Sequence, residues 1–122
     1  MDRFKLLREN YPNFSLDINK AIKVTKVSQP YLYELFLLHT QERNLKKLGK
    51  QIDRILWSRK RDDEKIALLS EAIVEFNCHL QRLKNLNHED ANLEPLHQLY
   101  NGFVMLIPDR VEVQLKIEFQ RF

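Results

Sequence analysis

The chain has 122 residues, 43% of them apolar and 30% charged, with a formal net charge of +3. That is enough for one helical domain spanning residues 1–122 with a real hydrophobic core, and it argues against disorder. Only two glycines and four prolines are present, so sharp turns are few, which suits long helices better than a many-stranded β fold.

In chain order, residues 2–10 read as a short helix with Phe4 and Leu7 on one side, stopped near Pro12. Residues 15–28 carry two patterns. Ile18, Ile22 and Thr25 have helical spacing, while the β-branched run from Ile22 to Val27 suits a strand, and the reading leans to a strand over 21–27. Ser28 followed by Pro30 suits a helix start. A long helix over about 31–58 follows, with apolar residues at 31, 38, 45, 48, 52 and 55. Around Leu45–Ile55 this is an a/d heptad pattern, weakened upstream by Glu34 and Gln41 on d positions. Tyr31 to Leu38 is apolar nearly all round, which implies burial on several sides.

The next helix, 62–86, is cleaner. Asp62 suits an N-cap, and Asp63 and Glu64 put negative charge at the positive end of the helix dipole. Ile66, Leu69, Ile73, Phe76, Leu80 and Leu83 then fill a and d positions. Only Arg59-Lys60-Arg61 separates the two long helices, which predicts an antiparallel αα-hairpin. A third helix is expected from about Leu93 to Ile107, with Asn92 as cap, Pro95 in its first turn and Leu96, Leu99, Phe103 and Ile107 on one face. Beyond Pro108, Val111, Val113, Leu115, Ile117 and Phe119 alternate with polar residues, the pattern of a half-buried strand over 110–120. Such a strand needs a partner: 21–27, another chain, or the bundle surface. The expected fold is therefore mainly α, an antiparallel helical hairpin extended to a small helix bundle, with a short C-terminal β-strand or arm.

Cys78 is the single cysteine, so neither an internal disulfide nor a Cys-based zinc site is available within one chain. It falls on an f position beside Val74, the pattern of a packed structural thiol. Charged residues stand where a signal peptide needs an apolar core, and no stretch approaches the about 20 apolar residues of a membrane span. A cytoplasmic protein with no membrane contact is expected. Asn13-Phe14-Ser15 matches a glycosylation pattern only by chance on that reading. There is no Gly-rich phosphate loop and no Gly-x-Ser-x-Gly, so no cofactor is expected. Glu94 and His97 form one Glu-x-x-His, but helical di-iron sites need two such motifs, so no metal is expected either. His79 reads as a packed or surface histidine beside the seam.

The most informative constellation is a basic stripe. With Leu45 and Leu48 as a and d, Arg43, Lys47, Lys50, Arg54, Trp57 and Arg61 fall on f and c positions opposite the seam. Together with Lys46, residues 43–61 hold eight basic side chains and one acidic, Asp53. Cations in a row suit a phosphate backbone because each contact releases counterions, and Trp57 can stack on a base. The same charges also suit a solvated helix face, or an acidic protein partner, and Arg59–Arg61 stand where cations offset the helix dipole.

An Arg followed by a His near a helix end in a small helical protein, here Arg82 and His88, resembles the active-site motif of HEPN-superfamily ribonucleases. The resemblance covers those two residues. It implies RNA cleavage across a dimer, with His88 as acid/base and Arg82 steadying the phosphate. The reading preferred from the residues themselves is a non-enzymatic, oligomeric interaction or assembly protein. Its partner is a second copy or another protein, and its basic face suits RNA or DNA. The surplus apolar surface is what suggests the oligomer.

Overall fold

The computed structural model describes residues 3–28, 36–86 and 93–107. These form five α-helices: α1 Arg3–Asn10, α2 Phe14–Ser28, α3 Phe36–Trp57, α4 Asp62–Leu86 and α5 Glu94–Leu106, with no strand among the described residues. The mainly α bundle built on a helical hairpin is the observed fold. The predicted strand over 110–120 and the start of the first long helix before Phe36 lie outside the described residues, and the N-cap of α5 is Leu93, with no side-chain cap hydrogen bond, rather than the expected Asn92.

Helices α3 and α4 form the expected hairpin. Gln41, 16 residues before the end of α3, meets His79, 17 residues after the start of α4, so the two helices run antiparallel in register. Their seams are buried as the heptads predict: Leu45, Leu48, Ile52 and Ile55 on α3, and Leu69, Ile73, Phe76, Leu80 and Leu83 on α4, with Ile66 partly covered. Helix α4 starts where its acidic run begins. The Lys65 N–H already bonds the Arg61 carbonyl, so Asp62, Asp63 and Glu64 occupy the first turn, where the Asp63 carboxylate accepts the Glu64 N–H.

Packing extends the hairpin into a ring: α2 lies against α3 and α5, and α5 against α4 and α2. Helix α1 contacts α3 and α5 and so crosses one end of this four-helix ring. There Phe4 and Leu7 are buried, and the Lys65 ammonium sits 5.5 Å from the centre of the Phe4 ring. An aromatic cluster knots the interior. Phe14 of α2 meets Phe76 of α4 at 6.2 Å and Phe103 of α5 at 4.8 Å, and Tyr11 meets Phe14 and Phe103 edge-on. Leu96, Tyr100 and Phe103 form the buried face of α5, so Tyr100 takes a central place that the predicted stripe gave to Leu99.

The lean toward a strand over 21–27 is wrong: these residues are the C-terminal half of α2. Ile18, Ala21, Ile22 and Thr25 are buried while Lys23 and Val24 are exposed, a period of three to four rather than two. Burial against two neighbouring helices overrides the β-branched preference of the run, and the Thr25 hydroxyl is satisfied by the Ala21 carbonyl one turn back.

The N-terminus of α2 is held from two sides. Asn13 acts as its own cap, its Oδ1 accepting the Leu16 N–H at 3.0 Å. Asp53 of α3 reaches across and accepts the Phe14 and Ser15 N–H groups with its two carboxylate oxygens, at 2.6 and 3.0 Å. The helices come this close because α3 carries Gly49 one turn earlier: a Cβ there would lie 2.9 Å from the Ser15 Cα. One turn beyond Asp53, the Trp57 indole N–H donates to the Pro12 carbonyl at 3.2 Å. Asp53→Ala should therefore cost about 2 kcal/mol in urea denaturation, the range of a lost charge-assisted cap. Gly49→Ala should also destabilise, although alanine is the better helix former by about 1 kcal/mol; a raised urea midpoint for Gly49→Ala would contradict the close approach.

Candidate nucleic-acid interface and the outer groove of α4

Two regions bring chemistry-bearing side chains together. The first is the outer face of α3. Arg43, Lys47, Lys50 and Arg54 are exposed and have no ion-pair or hydrogen-bond partner among the described residues. Their spacing of four, three and four residues keeps them on one side of the helix over about 16 Å. The rest of the predicted stripe is partly engaged. Lys46 bonds Glu42 at 3.1 Å, and Arg61 lies 3.4–3.7 Å from Glu64 and Asp63. Trp57 is 58% exposed, with its one polar hydrogen already held by Pro12, so only the ring is presented to solvent. Asp53, the one acid in the segment, faces the α2 N-terminus. The charge that would neutralise the row is thus turned inward.

Beside this row, Glu42 takes hydrogen-bonding ion pairs from Lys46 on its own helix and Lys26 on α2, both at 3.1 Å. Burial pushes the Glu42 carboxyl up, but the two lysines outweigh it and hold the group below its ordinary value.

The second region is a groove on α4. Glu71, Val74, Glu75, Cys78, His79 and Arg82 share the lining of an open cavity of about 550 Å³. His79 is buried, and its Nδ1 lies 2.6 Å from the Gln41 Oε1. The two side chains share a hydrogen bond whose donor is set by the imidazole tautomer. The d-position glutamine that breaks the α3 heptad is therefore the partner of a buried histidine. Burial lowers the His79 pKa most. Glu75 opposes that shift and Arg82 adds to it, leaving the imidazole below its ordinary value. Nearby, burial pushes the Tyr100 phenol up to about 12.

Arg82 is exposed on this groove, whereas His88, its predicted partner in the ribonuclease resemblance, lies outside the described residues. The histidine that α4 itself sets beside Arg82 is His79, one turn back. His97 is half-buried on α5, and no group of three metal-ligating side chains occurs among the described residues. No described helix is long and apolar enough to cross a membrane. Gln41 and Asp53 were the residues hardest to find from sequence. The signal for each was a polar side chain breaking an otherwise regular pattern.

The Glu42 shift has a definite sign. A carboxyl lowered in the folded state adds stability above its ordinary value of 4.5, and that stability is lost as pH falls below it. Glu42→Gln should be less stable than wild type at pH 7, with the gap closing in thermal melts as the pH is taken below 4.5. A gap that persists unchanged in acid would contradict the ion pairs.

Compared with protein-family models, curated proteins and solved structures, the chain matches none.

Proposed function

We propose that the protein is a non-enzymatic interaction protein that binds nucleic acid along the outer face of α3 and works as an oligomer. The observation that carries this reading is the row Arg43, Lys47, Lys50 and Arg54, exposed and without partners among the described residues, with Asp53 withdrawn to the α2 N-terminus. Unpaired cations at regular helical spacing gain affinity for a polyanion by counterion release. Trp57 stands at the end of the row with its ring exposed and its N–H engaged, which suits stacking on an unpaired base. Exposed apolar side chains, Leu16, Val24 and Met105, support self-association or a protein partner.

The test is binding of a labelled single-stranded RNA and a DNA duplex across a salt series. Affinity should fall with a log–log slope near −3 for four contacts on single strands, at about −0.7 per phosphate. The Lys47→Glu/Lys50→Glu/Arg54→Glu variant should keep its circular dichroism and melting temperature while losing binding. Wild-type affinity in that folded variant would refute the interface. Light scattering should give a mass above one chain. Turnover of RNA that disappears in His88→Ala would instead establish the ribonuclease reading.

A further inference from the structure

Trp57 belongs to two sides of α3 at once. At about 100° per residue, Arg43, Lys47, Lys50, Arg54 and Trp57 fall within an arc of about 80°. The ring therefore stands on the cationic row, while its N–H still reaches the Pro12 carbonyl at 3.2 Å. Trp57 is the last residue of α3, and the exposed Arg59 and Lys60 follow it in the connection to α4. Neither has an ion-pair or hydrogen-bond partner among the described residues. Cations thus flank the ring in both directions along the chain.

The ring itself is not used by the core. The aromatic contacts of the interior join Tyr11, Phe14, Phe76, Tyr100 and Phe103, and none involves Trp57. At 58% exposure it is the one aromatic among the exposed large apolar side chains of the described residues. Its single donor is engaged by a backbone carbonyl, so it has no hydrogen to offer a base edge or a phosphate. What remains is a π surface held in place at one edge before any ligand arrives. Such a surface does not read sequence, but it accepts the face of any base. Inside a duplex those faces are covered by stacking, whereas an unpaired base has them free. An acidic protein segment would match the charge of the row and offer nothing to the ring.

Given the α3 interface proposed above, on which this rests, we propose that Trp57 makes it a site for single-stranded nucleic acid. The ring stacks one unpaired base, and Lys50, Arg54, Arg59 and Lys60 hold the phosphates on either side of it. RNA and DNA strands share this chemistry.

The experiment titrates the full chain at low salt with five polyanions while Trp57 emission is recorded. They are a single strand of RNA, the same strand as DNA, a long DNA duplex, an abasic deoxyribose-phosphate strand of equal length, and polyglutamate. Single strands should bind and quench the emission. The abasic strand should bind at least about fivefold more weakly, the low end of stacking on one base, and neither it, the duplex nor polyglutamate should quench. Trp57→Leu should lose the same factor for the base-bearing strands only, and Trp57→Phe should regain part of it. The abasic strand makes the comparison in unaltered protein, so a weakened fold in Trp57→Leu does not blunt the test. An abasic strand or polyglutamate bound as tightly as the base-bearing strands would overturn the single-strand site and leave the cationic interface standing, as would equal quenching by the duplex. No binding of any polyanion would overturn the interface and this site together.

Discussion

The bundle depends on how α3 receives the N-terminus of α2. A helix begins with N–H groups that have no partner within it, and burying them unsatisfied would be costly. Here Asp53 supplies both oxygens of its carboxylate to two of those groups, and its negative charge lies at the positive end of the α2 dipole. The bond can form only because Gly49 lets the backbones approach. Trp57 completes the contact at the turn before α2. These three residues stand at intervals of four along one side of α3. They fix where α2 starts, and with it Phe14, whose ring contacts α4 and α5.

Helix α3 is consequently divided among three tasks. Leu45, Leu48, Ile52 and Ile55 face the core. Gly49, Asp53 and Trp57 serve α2, and Arg43, Lys47, Lys50 and Arg54 face solvent. The division explains how a segment so rich in cations can sit in a compact bundle. Its apolar side is fully used, its one acid neutralises a helix end rather than a neighbouring lysine, and the positive side needs only water or a polyanion. Helix α4 has a comparable division, with a clean seam inward and a mixed polar groove around His79 outward.

Much of this was legible in the amino-acid order, because it is local. The α4 seam, its acidic first turn and the short basic connection are properties of neighbouring residues, and they describe the hairpin correctly. The same holds for the exposed position of Lys47, Lys50 and Arg54. What was not legible depends on contacts between distant segments. Residues 21–27 carry strand-like side chains, and only the two helices packed on them select the helix. Asp53 reads as one acid in a basic run until the α2 N-terminus, 38 residues earlier, is placed against it. Gln41 reads as a flaw in a heptad until His79 arrives from the other arm of the hairpin.

The Trp57–Pro12 bond has a practical side. Trp57 is the only tryptophan in the chain, so all indole emission comes from the junction of α2 and α3. Its N–H is bonded to the turn before α2, while more than half of its surface meets solvent beside the cationic row. Separation of α2 from α3 exchanges a carbonyl partner for water, and contact of the open ring with an aromatic base quenches it. The protein therefore carries a built-in optical probe whose wavelength follows the docking of α2, with no label attached, and whose intensity would report a base stacked on the outer face of α3 if the proposed interface is used.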